Sequence, residues 1–122
     1  MTNGKARNNG GAIYATGTGA ATLTFASCGA TISYFESKLN GGFLYVNNPS
    51  LSISTSGCDW NHLYSTNSGG FIYGASLKSF SLTGCNMLNI TSKVSGSFFV
   101  TTATGYDFAI STCIFKCLST YD

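Results

Sequence analysis

Four carboxylates, one histidine and five cysteines are the residues of this 122-residue chain best equipped for bond-making chemistry. A hydrolase or lyase acting on polysaccharide needs paired carboxylates facing one bond, or a metal held beside it. Glu36, Asp59, Asp107 and Asp122 stand at unrelated places in the repeat described below and do not converge. Cys58-Asp59-x-x-His62 has the residue types of a nucleophile, an acid and a base. Nothing in the pattern supplies an oxyanion donor or a pocket, and His62, between Trp60 and Leu63, reads as a solvent-side residue. The expectation is a non-enzymatic chain with no catalytic residue, metal or cofactor.

The cysteines follow a different rule. Cys28, Cys58, Cys85 and Cys113 recur about every 27 to 30 residues, far from zinc-site spacing, and only Cys113 and Cys117 are close in sequence. The favoured reading is a reduced interior column, since stacked equivalents point their Cβ atoms the same way. A bridge between neighbouring rungs is the alternative, and Cys117 falls outside the column.

An internal repeat positions these residues. "NNGGAIYA" becomes "LNGGFLYV", "NSGGFIYG" and, more loosely, "VSGSFFVT". Aligning Gly10-Gly11, Gly41-Gly42, Gly69-Gly70 and Ser95-Gly96 leaves each cysteine at a near-constant offset, with a period in the range of solenoid arrays. Between the two markers run "TLTFASC", "LSISTSGC", "SFSLTGC" and "FAISTC". Their alternation puts Leu23/Phe25, Leu51/Ile53, Phe80/Leu82 and Phe108/Ile110 on one face and Thr24, Ser52, Ser81 and Ala109 in water. A third apolar piece follows each cysteine: Ile32/Phe35, Trp60/Leu63, Met87/Ile90 and Phe115/Leu118. The unit is three strands, repeated about four times over residues 10–40, 41–68, 69–94 and 95–122, within one domain spanning 1–122.

Copies of every third strand are what a parallel β-helix requires, because each strand bonds to its equivalent one coil away; a hairpin sandwich has no such need. The expected class is all-β. Gly10, Gly11, Gly41, Gly42, Gly69, Gly70 and Gly96 are the corner residues, where positive φ or close approach excludes a Cβ. Ile13, Leu44, Ile72 and Phe98 then form one inward ladder. Pleating would turn Phe43, Phe71, Tyr14, Tyr45, Tyr73 and Phe99 outward as an aromatic strip for a glycan or protein partner.

Composition agrees with that class and narrows the partners. With 43% apolar residues the chain can bury a core, and with 8% charged residues and net +2 it has no basic cluster for nucleic acid. No apolar run is long enough for a transmembrane helix. "MTNGKARNNGG" lacks the apolar region of a secretion signal, so the chain reads as a processed or excerpted piece. Asn89-Ile90-Thr91 is a glycosylation sequon, while Pro49 blocks the one at Asn48. The Thr-x-Thr pairs fall on different coil positions, which leaves ice binding a minor alternative.

"GGAIY", "GGFLY" and "GGFIY", each followed by a Leu-x-Ile-x-x-Cys stretch, resemble the Gly-Gly-Ala-Ile repeats of the polymorphic outer membrane protein (Pmp) passengers and of Pmp-like surface repeats in some ciliates. The likeness runs from residue 10 to about 118. It implies a right-handed parallel β-helix, about four coils of three strands, exposed at a cell surface or outside the cell, with adhesion or interaction as its role. The family's companion Phe-x-x-Asn motif is not kept, since the corresponding places read "FESK", "WNHL", "MLNI" and "FKCL". A short coil stack has unpaired backbone groups at both ends. The expectation is that these ends join one copy to the next in a head-to-tail fibre, with a slice of a larger surface adhesin as the alternative.

Overall fold

A computed structural model describes residues 1–120, and among them it has strands and no helix. After β1 (Thr2–Ala6) the chain makes four turns. The first holds β2 (Ile13–Thr16), β3 (Ala21–Ala26) and β4 (Ile32–Ser37). The second holds β5 (Leu44–Asn47), β6 (Leu51–Ser56) and β7 (Asp59–Ser65), the third β8 (Ile72–Ser76), β9 (Ser79–Thr83) and β10 (Asn86–Ser92). The fourth holds β11 (Phe99–Thr101), β12 (Asp107–Ser111) and β13 (Ile114–Thr120). Equivalent strands stack into three sheets, β2-β5-β8-β11, β3-β6-β9-β12 and β1-β4-β7-β10-β13, all of them parallel. The molecule is a β-solenoid of about four coils with three strands per coil, as the repeat predicts.

Three kinds of left-handed position bend each coil. The first glycine of the corner is one: Gly10, Gly41, Gly69 and Gly96 have φ of 70°, 69°, 69° and 56°. The residue before each cysteine is another, at Ser27, Gly57, Gly84 and Thr112. The third column is Asn3, Tyr34, His62, Asn89 and Cys117, with φ from 52° at His62 and Asn89 to 63° at Tyr34. It lies inside the sheet that contains β1 and β13. A left-handed residue breaks the pleat, so Trp60 and Leu63, three apart rather than two, both point inward around His62. The same spacing of three recurs at Ile32/Phe35, Met87/Ile90 and Phe115/Leu118.

The second corner glycine serves close approach instead. A Cβ on Gly42 would run into the carbonyl oxygen of Gly70 in the next coil, and one on Gly70 into that of Ser97. Ser97 occupies this column in the fourth coil, where the structure places no further coil against it.

The core is a set of side-chain columns between the sheets. Ile32, Trp60, Met87 and Phe115 form one, Leu23, Ile53, Phe80 and Phe108 another. Phe43 meets Trp60 edge to face at 4.8 Å, and Phe25 meets the same indole at 5.4 Å. Such contacts fill the narrow interior with rings in their preferred geometry.

The register corrects three expectations. Phe43 and Phe71 are 0% and 1% exposed, inside the solenoid and not on its surface. Successive amides at the corner, those of Phe43 and Leu44, donate to the same Phe71 carbonyl, a bulge-like kink that sends two consecutive side chains inward. The fourth phrase is offset by one residue, because Phe99, not Phe98, pairs with Ile72. Phe99 is thus the inward rung and not part of an outer strip, and Phe98 stacks on Phe71 at 5.6 Å. Finally, Ile53 pairs with Phe80 and Thr55 with Leu82, so Ser54 rather than Ser52 joins Thr24, Ser81 and Ala109 on the wet face. The apolar pair Leu51/Ile53 concealed this, because a buried threonine does not look like a core residue.

β1 has no counterpart in the sequence expectation, for TNGKA lacks apolar alternation. Pairing holds it: Thr2 lies opposite Ser33 and Gly4 opposite Phe35, where a Cβ would meet the ring at 2.5 Å.

Candidate functional site

The carboxylates remain dispersed. Glu36 on β4 pairs with Lys5 at 3.3 Å, Asp59 at the start of β7 accepts a 2.6 Å hydrogen bond from Asn86 Nδ2, and Asp107 is exposed at the start of β12. Asp122 lies outside the described residues. Cys58 is buried in the core, whereas His62 lies on the outer face with its ring stacked on Tyr34 at 4.8 Å, so Cys58, Asp59 and His62 do not assemble. Among the described residues no three His, Cys, Asp or Glu side chains group to hold a metal.

The cysteines do stand in a column, but not a fully reduced one. Cys28 and Cys58, on adjacent rungs, form a disulfide with Cα atoms 4.8 Å apart. This corrects the reduced-ladder expectation: one coil rise already lies within bridging range, and a shared Cβ direction did not prevent closure. Cys85 is free and buried, Cys113 free and half-buried, and Cys117 free and exposed on the left-handed column.

On the outer face of β2, β5 and β8, Tyr14, Tyr45 and Tyr73 stack with centroids 5.0 and 5.6 Å apart and rings within 9° and 3° of parallel. Burial first, and then the charge that Tyr14 and Tyr73 would bring, pushes the Tyr45 hydroxyl above the ordinary phenol value. This is what survives of the outward strip. The rings cover one another's inner faces, which leaves only the two terminal faces open to a sugar, that of Tyr14, 59% exposed, and that of the half-buried Tyr73 on the side of Val100. Asn89 is half-buried on the left-handed column and donates from Nδ2 to Asn61 Oδ1 at 2.9 Å.

That column escaped the sequence reading, although it left a trace. Apolar residues three apart in the middle of every third strand are incompatible with a plain pleat, and the spacing itself marks the kink. It brings Asn3, Tyr34 and His62 together with Lys5, Glu36 and Tyr64 around a shallow groove at the β1 end.

The largest opportunity for interaction is at the ends of the stack. Phe108, Ile110, Phe115 and Leu118 belong to inward columns, yet they are 45%, 39%, 37% and 36% exposed, because among the described residues nothing lies beyond the fourth coil. Beside them β11, β12 and β13 are edge strands. At the opposite end the edges are β2, β3 and β1, one in each of the same three sheets, with Ile13, Leu23 and Phe25 half-buried between them. Edge strands with apolar residues alongside are natural templates for strand addition. No protein-family model, curated protein or solved structure matches the chain.

Proposed function

We propose that this chain is a non-enzymatic structural element of the cell surface or extracellular space, which lengthens by stacking the first coil of one copy onto the fourth coil of another. The observation that carries it is that both ends of the stack open onto edge strands of the same three parallel sheets. β11 would receive β2 and β12 would receive β3. Because the third sheet has five strands and the others four, β13 takes the rung that β1 holds in a free copy, so β1 is displaced and β13 receives β4, keeping each sheet parallel and continuous. In that register Phe108 meets Leu23 and Ile110 meets Phe25, so apolar residues exposed at both ends would leave water. Contacts of this heterologous, non-closing kind make filaments.

Several observations support the setting. The Cys28–Cys58 disulfide suits an oxidising compartment, and the Gly-Gly phrases resemble those of surface-exposed Pmp-type repeats. A glycan on Asn89 belongs to the same reading. Adhesion through the tyrosines is the weaker alternative, since stacking leaves so few free ring faces.

The test is growth with concentration. Negative-stain images should show rods about 20 Å longer for each added copy, from four coils at ~4.8 Å each. Phe108→Glu should leave the circular dichroism spectrum intact and abolish the rods. Dispersed single particles from the unmodified chain at high concentration would sink the proposal.

A further inference from the structure

We infer that Cys85 and Cys113 are a second disulfide site, so that the cysteine column is bridged pairwise, Cys28 with Cys58 and Cys85 with Cys113. The two residues are stacked neighbours. Thr83 pairs with Ser111 just before them and Asn86 with Ile114 just after them, which fixes Cys113 directly over Cys85. Cys58 and Cys28 stand in the same relation one pair of coils earlier and are already joined. The two free thiols also lean alike: each Sγ donates to the carbonyl two residues before it, Cys85 to Thr83 at 3.4 Å and Cys113 to Ser111 at 3.1 Å. Cys113 Sγ in addition accepts the Cys85 amide at 3.4 Å, which holds the outer sulfur above the inner residue.

The pairing is selective. The other neighbour of Cys85 in the column, Cys58, is occupied by Cys28, and Cys117 is exposed in a different column. Access is ordered too, for Cys85 is buried while Cys113 is half-buried at the open fourth coil.

The oxidant is a small-molecule disulfide of the oxidised glutathione type. The Cys113 thiolate attacks one of its sulfurs, releasing one small thiol and leaving a mixed disulfide on Cys113. The Cys85 thiolate then attacks the Cys113 sulfur, the second small thiol leaves, and the new sulfur–sulfur bond closes. Two protein thiols are oxidised, one small disulfide is reduced to two thiols, and the two protein protons end on those products. The bridge clamps the fourth coil to the third, and it holds whether or not copies stack.

The experiment incubates the full chain with oxidised glutathione, unfolds it in the presence of an alkylating reagent, and maps the peptides. A Cys85–Cys113 linked peptide is expected, with Cys117 unlinked to either and either alkylated or carrying glutathione, together with a higher thermal midpoint than the same protein before oxidation. Cys113→Ser should remove that increment and leave Cys85 alkylatable, while Cys117→Ser should keep it. Cys85 and Cys113 both alkylated after oxidation, persistent glutathione on Cys113, or either residue linked to Cys117 would overturn the inference.

Discussion

Gly42 and Gly57 are both corner glycines, yet they are glycine for different reasons, and substitution should separate them. At Gly42 the space for a Cβ is taken by the backbone carbonyl of the next coil, which cannot swing aside without breaking the ladder. At Gly57 the surroundings are open, with no atom nearer than 3.8 Å, and the constraint is the φ of 58°. Asparagine tolerates that conformation. Gly42→Ala should therefore cost about 1–3 kcal/mol or more as a forced overpacking, and Gly57→Asn less than about 1 kcal/mol. Urea unfolding of the two variants measures the order, and the reverse order would refute the close-approach argument. Ser27 and Thr112, which fill the Gly57 column in other coils, already point the same way. The tyrosine stack has its own residue-scale consequence. The Tyr45 value is raised in the fold, so its contribution is complete below the ordinary phenol range near pH 10 and is lost as pH climbs through the raised value. Alkaline titration followed by phenolate absorbance should show one tyrosine ionising late. Tyr45→Phe should abolish that late step and soften the loss of stability above about pH 10.

Within the elements, Thr55 is the informative residue. It is 1% exposed in the column otherwise built from Phe25, Leu82 and Ile110, and its hydroxyl has the Cys85 sulfur at 3.6 Å. Sulfur is a weak partner, so Thr55→Val should leave stability unchanged or raise it by up to ~1 kcal/mol. A loss larger than that on urea unfolding would mean the Thr55–Cys85 contact matters to the column. Thr55 also marks the limit of what was legible beforehand. Strand existence, the three-strand unit and the parallel stacking follow from repetition, since a repeated apolar phrase can bury itself only on its own copies. Exact register does not follow, because loop lengths differ between coils and a one-residue slip at "VSGSFFVT" exchanges Phe98 for Phe99. Face assignment failed at Phe43 and Phe71 for a related reason: alternation is a property of the pleat, and the corner kink suspends it. The dispersal of Glu36, Asp59 and Asp107 was visible from coil position. The disulfide was not, since sequence spacing permits a bridge without deciding it.

For the molecule as a whole, the distribution of burial decides where the stack is strong. Fully buried side chains such as Trp60, Phe71, Leu82 and Met87 belong to the second and third coils, while every residue of β12 is exposed. A linear array gains stability from neighbour contacts, so a coil with one neighbour opens more easily than a coil with two. In dilute solution the amides of β11, β12 and β13 should exchange with deuterium first, and those of β7 and β10 last. If copies stack end to end, raising the concentration should slow exchange in β11–β13 and in β2 and β3 together, because each junction covers one set with the other, while β1, displaced by β13, gains no protection. Ser97 makes the prediction sharper. Its Cβ stands where the three preceding coils have a glycine or its equivalent gap, in the path of an incoming Gly11 carbonyl, so the junction should be looser at this corner than any internal step. Ser97→Gly should then promote growth and lower the concentration at which end-strand protection appears. Protection rising at β13 alone, or no response to Ser97→Gly in an otherwise growing rod, would rule out in-register stacking and point to a contact that bypasses the corner.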